Sequence, residues 1–502
     1  MININKEVLD LQRHLASCIP LTQKSSDFLI SSLSQVNPFN DTGSVIKWIE
    51  EKKNQRFEVT KISLSKIEGW YFEETTGNLR HQSGKFFSIE GIRVETNAGP
   101  IKQWSQPIIN QPEIGVLGIL TKKFNGILYF LMQAKMEPGN INKVQLSPTV
   151  QATKSNYSRV HKGKVTKYLE YFLDKNKSWV LLDQLQSEQG GRFLRKRNRN
   201  IIIEVPSNED VPVYEDFCWL TLGQIKKLLE YDNLVNMDTR TVISCIYYNC
   251  NGNDSYDIDR LKECIHYSPI IEDRQSGYYL DILKSAMKKD EGLHGLDDIR
   301  SWSTNLKTKY YMDVNTIPLR DVEKWKQDEF NIFHEDGTFF KVIGASIDTD
   351  KREVGNWCQP LVEQIESGVV GFITKKRNGI LHFLVQAKVE PGNFDILEMA
   401  PTVQCITGSY KNEKPENQPK YLNMFLNPDP TIIRYHARQS EEGGRFYQEQ
   451  NDYWIVEVGD EFPIEQPENF IWMTLGQITE FVKHNNYVNV EARSLISCIG
   501  MI

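Results

Sequence analysis

GVLGILTKKFNGILYFLMQAKMEPGN, Gly115 to Asn140, returns as GVVGFITKKRNGILHFLVQAKVEPGN, Gly368 to Asn393. The offset is 253 residues (368 less 115), and it holds well beyond this stretch. Pro148-Thr149-Val150-Gln151 maps onto Pro401-Thr402-Val403-Gln404, and Gly190-Gly191-Arg192-Phe193 onto Gly443-Gly444-Arg445-Phe446. Trp219 and Arg240 recur as Trp472 and Arg493. Solenoid periods are far shorter, so this is a duplicated domain. The two copies form an internal comparison. Residues kept in both serve the fold or a shared ligand site; residues kept in one are candidates for the specific chemistry.

Within each copy the apolar runs Gly115–Lys122 and Ile127–Lys135 flank Asn125-Gly126, and Asn378-Gly379 repeats the pattern. Asn-Gly between two such runs predicts a tight hairpin. Val144–Thr153 reads as a strand broken by Pro148, and Ile201–Val205 and Trp454–Val458 as strands after a Gly-Gly-Arg turn. Helices are expected at Asp27–Val36, Val165–Leu173, Gly223–Glu230, Asp238–Tyr247 and Leu280–Lys289, with Thr221 capping one of them. The fold class is therefore α+β. It comprises two tandem copies of a mixed α/β domain, each with N-terminal helices: 1–255, then 256–502. The turn-rich stretch after Asn251 is the junction. No GxGxxG or GxxxxGK[ST] loop is present, which disfavours dinucleotide and P-loop folds.

A net charge of −7 argues against a nucleic-acid partner. The basic run Arg195-Lys196-Arg197-Asn198-Arg199 reads as a solvated turn. No apolar stretch is long enough for a membrane span, and the N-terminus lacks a signal-peptide pattern. With eight cysteines and no C-x-x-C pair, neither a disulfide framework nor a zinc site is expected. These points suggest a cytoplasmic protein.

The densest polar cluster is Gln133-Ala-Lys135-Met-Glu137-Pro-Gly-Asn140, followed by Gln151. Strand alternation puts Gln133, Lys135 and Glu137 on one face. A lysine and a carboxylate so placed serve a diphosphate or an acid/base pair, or else form an ordinary ion pair on a solvated strand. Recurrence as Gln386, Lys388, Glu390 and Asn393 favours a shared pocket over a merely structural network. In Gly-Gly-Arg-Phe the glycines permit a positive-φ turn, and the arginine either clamps phosphate or pairs with Glu188 or Glu441. The asymmetric element follows Gln151. Ser155-Asn156-Tyr157-Ser-Arg159-Val-His161 in the first copy faces Gly408-Ser409-Tyr410-Lys-Asn412 in the second. Only the tyrosine persists. Tyr157, Arg159 and His161 make an acid/base set, although a single loop histidine is more often a surface residue. The recurring tryptophans, Trp48 among them, either stack on a base or pack in the core.

VQLSPTVQAT followed by SNYSRVH, EMAPTVQC in the second copy, and QAKxEPGN and GGRF in each resemble the NDP-hexose 2,3-dehydratases. The resemblance runs from about residue 25 to 500. It departs at Lys162, where a second glycine is expected. It implies duplicated Nudix-hydrolase-like domains, a homodimer, and dehydration of a nucleotide-linked 4-keto-6-deoxyhexose. The G-x5-E-x7-R-E-x-x-E-E-x-G box of true Nudix enzymes is missing, so no metal and no cofactor is implied.

On this reading Tyr157 or His161 is base or acid, and Arg159 and Lys135 stabilise an oxyanion or the diphosphate. Glu137, Thr149 and Gln151 orient the sugar, Arg192 binds phosphate, and Asn156 and Trp48 join the substrate contacts. Lys388, Glu390, Thr402, Gln404, Tyr410 and Arg445 would form a second-copy pocket. The substrate would be a nucleotide sugar, with an NAD(P)H-dependent ketoreductase taking the product. The competing readings are a non-catalytic nucleotide-sugar-binding protein and a degenerate nucleotide-diphosphate hydrolase.

Overall fold

The computed structural model describes residues 21–35, 37–153, 166–174, 176–248, 277–350, 355–410 and 417–500, with Asp10, Leu11, Arg13, Leu15 and Lys414 besides. Among these, each half is built on a seven-stranded sheet. In the first half, Gly115–Phe124 and Ile127–Met136 form the central antiparallel hairpin. Its loop is the predicted two residues, Asn125 at φ 50° and Gly126 at φ 80°. The second half repeats this with Asn378 and Gly379 at 50° and 70°. Positive φ at both loop residues is the I′-type turn, whose twist matches the right-handed twist of the flanking strands. Arg197–Val205 runs parallel to Gly115–Phe124, and Trp179–Ser187 pairs on its far side. The break at Pro148 divides Val144–Ser147, which pairs with Ile127–Met136, from Val150–Ala152, which pairs with Gly115–Phe124.

The helices fall close to their expected positions. Gln23–Leu33 and Gly277–Met287 begin a few residues earlier than predicted. Thr221 and Gln224 complete a capping box on Leu222–Leu228, and Thr474 and Gln477 do the same on Leu475–Val482. One main apolar core runs through both halves, including Phe28, Phe130, Phe372 and Phe383. Each such side chain contributes roughly 1.5–3 kcal/mol on burial. Among the described residues no helix is long and apolar enough to cross a membrane.

The halves are interlocked. Strand Phe57–Ile62 of the first half pairs with Phe340–Thr349 of the second, Phe57 opposite Thr349. Met312–Ile317 of the second pairs with Ser88–Thr96 of the first, Met312 opposite Thr96. Each half thus lends a strand to the other's smaller sheet. Helices Met237–Ser244 and Val490–Ser497 meet between the halves. Buried Arg240 donates through Nε to Ser494 Oγ at 2.6 Å, and Arg493 through Nε to Thr241 Oγ1 at 3.3 Å.

Candidate active site

The strand Ile127–Met136 carries Lys135 to its end, and the chain turns at Glu137-Pro-Gly. Lys135 and Glu137 are both buried, 8% and 5% exposed. Lys135 Nζ lies 3.7 Å from Glu137 Oε1 and donates to the Gln151 carbonyl at 3.4 Å. Gln151 Nε2 donates to Glu137 Oε1 at 2.7 Å, and its Oε1 accepts from Asn236 Nδ2 at 3.3 Å. Asn236 caps helix Met237–Ser244, which puts Asp238 in the first turn beside this network. The second half repeats the arrangement. Lys388 donates to the Gln404 carbonyl at 2.7 Å, Gln404 donates to Glu390 at 3.2 Å, and Asn489 donates to Gln404 at 2.7 Å. This is a desolvated polar site, not a solvated strand face.

The Gly-Gly-Arg-Phe turns cross between the halves. Gly139 donates its N–H to the Gly443 carbonyl at 2.7 Å, and Gly392 donates to Gly190 at 2.7 Å. Arg445 therefore belongs to the first-half pocket. Its Nε donates to Gln111 Oε1 at 3.1 Å, and its guanidinium stacks 4.2 Å from the Phe87 ring centre. Glu442 and Glu137 oppose the effect of burial, which draws the guanidinium below its ordinary value. Arg192 stacks on Phe340 and faces Glu449, Glu390 and Glu491 of the second half. The two arginines thus sit in each other's expected pockets.

Three further expectations are corrected. Among the described residues, none of the four turn glycines has a positive φ. Space is what requires glycine at Gly190 and Gly443: a Cβ there would stand 2.1 Å from Asn393 Oδ1 and 2.2 Å from Asn140 Oδ1. Lys196 is not in a solvated turn. It is 5% exposed, donates to the Glu113 carbonyl, and faces Glu188, Glu442 and Arg445. Thr149 and Thr402 commit their hydroxyls to backbone, donating to Leu131 and Leu384 and accepting from Leu120 and Ile373. They stitch the broken strand to the sheet. Trp48 is half-buried against the main core, and Tyr410 packs on the second half's apolar cluster. Tyr157, Arg159, His161 and Asn156 lie outside the described residues.

Sequence reading missed Asp238, Glu442 and Lys196. Asp238 is 3% exposed. Burial first, then Glu442 and Glu137, hold its carboxyl well above the usual carboxylate range. A detectable signal is the acid kept in both copies, Asp238 and Glu491, two residues after a capping asparagine, Asn236 or Asn489. Two aligned differences change the charge of the pockets. Glu442 in the first is Gln189 in the second, and Lys196 in the first is Glu449 in the second. Lys135, Lys196 and Arg445 give the first pocket one more cation than the second, which suits a diphosphate better. The second pocket is a cleft of about 170 Å³ lined by Lys388, Glu390, Arg192, Gln404, Glu449 and Glu491.

The family model for NDP-hexose 2,3-dehydratases matches this chain twice, over residues 42–246 and 296–499. The chain belongs to the NDP-hexose 2,3-dehydratase family. A dTDP-4-dehydro-6-deoxy-alpha-D-glucopyranose 2,3-dehydratase of Saccharopolyspora spinosa is 42% identical over 94% of both chains. Another, from Amycolatopsis orientalis, is 43% identical over 91% of this chain and 90% of its own. A third, from Streptomyces violaceoruber, is 41% identical over 91% and 97%. Both matched regions of this 2,3-dehydratase family member contain the whole Lys-Glu-Gln-Asn network of their half.

Proposed function

We propose that this chain removes the C2 hydroxyl, as water, from dTDP-4-keto-6-deoxyglucose, giving a 3,4-diketo-2,6-dideoxy sugar. The observation that supports this most is similarity above 40% to three relatives named for that reaction, spread over nine-tenths of the chain.

The chemistry suits the first-half pocket. The 4-keto group acidifies the C3 hydrogen. A base removes that proton, the enolate forms, and the C2 oxygen leaves with an added proton. The enol product then tautomerises to the diketone. Lys135, Arg445 and Lys196 offer cations for the enolate oxygen and the diphosphate in a site shielded from water. Glu137 and Gln151, held by Asn236, orient sugar hydroxyls. Tyr157, together with Arg159 and His161, which the first half alone keeps, supplies the remaining acid/base groups on this reading.

We further propose Nudix-like topology for each domain, a division near residue 255, a homodimer in the cytoplasm, and a ketoreductase that consumes the reactive diketone. Proton NMR in D₂O tests the reaction. Loss of the C3 proton signal with deuterium gained at C2 supports it, and an unchanged sugar spectrum contradicts it.

A further inference from the structure

The two pockets are related by the repeat, yet among the described residues the hydrogen bond that Gln189 makes in the second has no counterpart in the first. In the second, Gln189 Nε2 donates to Glu441 Oε2 at 2.7 Å, and Asn451 Nδ2 donates to Glu441 Oε1 at 2.7 Å. The carboxylate is satisfied on both oxygens. In the first, Asn198 Nδ2 donates to Glu188 Oε1 at 2.7 Å, matching Asn451. The partner for the other oxygen should come from the position equivalent to Gln189, which is Glu442. An ionised carboxyl has no proton to donate. Among the described residues, Glu188 Oε2 is buried with no hydrogen-bond partner.

A buried carboxylate oxygen left unpaired is costly, because no hydrogen bond repays its loss of water. A proton on Glu442 removes that cost, because the acid then donates where the amide of Gln189 donates in the other pocket. We propose that Glu442 enters the first-half pocket as a neutral carboxylic acid, its proton shared with Glu188 Oε2, and gives that proton to the departing C2 hydroxyl. The inference rests on the dehydratase reading above.

The surroundings agree. Glu442 is within electrostatic reach of Arg445, Glu188, Glu137 and Lys196, and it faces Asp238 from the helix side. Burial raises its carboxyl most; Arg445 opposes this and Glu188 and Glu137 add to it, leaving it at about 7. An ideal Cβ on Gly444 would lie 2.7 Å from Glu442 Oε1 and 3.8 Å from Glu137 Oε1, so both carboxyls flank the crossing turn.

The step balances. The base takes the C3 proton, and the C3–H electron pair passes into the enolate. That pair then forms C2=C3 as the C2–O bond breaks. The departing oxygen takes the Glu442 proton and leaves as water. Glu442 becomes a carboxylate beside Arg445 and Lys196, and solvent returns the base's proton to it.

Glu442→Gln tests this, because the introduced amide reproduces the second pocket's own hydrogen bond and should preserve the fold. With wild type shown to dehydrate dTDP-4-keto-6-deoxyglucose, two rates are compared in D₂O: water loss, and exchange of the C3 proton. The expected result is a fall in water loss of about 10²-fold or more, with C3 exchange within a few-fold of wild type and an unchanged melting temperature. Water loss at the wild-type rate overturns the proposal. Water loss and exchange falling together also overturn it, since Glu442 would then not be the acid of the elimination step. An inactive wild type would instead indict the dehydratase reading.

Discussion

Gly139 and Gly443, one from each half, are joined by a 2.7 Å hydrogen bond, and this contact decides which arginine completes which pocket. The Glu-Pro-Gly-Asn turn of one copy is the seat for the Gly-Gly-Arg-Phe turn of the other.

A side chain at Gly139 cannot fit that seat. Its Cβ would stand 1.5 Å from the Phe446 carbonyl oxygen, and a Cβ at Gly392 would stand 1.7 Å from that of Phe193. Both neighbours are backbone, so the halves must part. Gly139→Ala and Gly392→Ala are each expected to cost about 3 kcal/mol or more, read as a lowered melting temperature or loss of soluble protein.

Arg445 supplies charge to the first pocket from across the junction. Arg445→Ala is expected to lower kcat/KM for the nucleotide sugar by about 10²-fold or more. Arg192→Ala, an equal charge deletion in the other pocket, should cost less than about tenfold. Steady-state kinetics of the two variants side by side check this, and the reverse ranking would refute the crossed assignment.

Asn236 holds Gln151 and so the carboxylate of Glu137. Asn236→Ala removes both this bond and the helix cap. We expect a stability loss of about 1 kcal/mol and a rise in KM, measured by thermal melts and substrate titration.

Stability should fall as pH rises through neutrality. Glu449 is pushed up to about 8, chiefly by burial and then by Glu441, against Arg192. Its folded state holds a proton that the unfolded chain has already released. Stability from this group is therefore complete below the ordinary glutamate range and is lost between that range and about 8. The slope is at most about 1.4 kcal/mol per pH unit for one group. Glu449→Gln should flatten it, as seen by denaturant unfolding at pH 6 and pH 8.5. An equally steep loss in the variant would refute the assignment.

Much of this molecule could be read from its sequence. The Asn-Gly hairpins, the Thr-x-x-Gln helix starts and the duplication follow from local chemistry, and the structure has them at those residues. The Lys135–Glu137–Gln151 cluster was visible because polar residues recurred inside apolar strands. What could not be read is which copy touches which. A repeat aligned with itself shows that Arg192 and Arg445 are equivalent, but equivalence holds whether each turn serves its own half or the other. The lent strands Phe57–Ile62 and Met312–Ile317 were hidden for the same reason. Lys196 looked solvated because its neighbours in sequence are basic, whereas its neighbours in space are acidic.

The most direct measurement is incubation with dTDP-4-keto-6-deoxyglucose, with and without EDTA, followed by mass spectrometry. Loss of one water, unaffected by the chelator, is the predicted result. Intact substrate despite measurable binding, or release of a nucleoside monophosphate, would contradict the account.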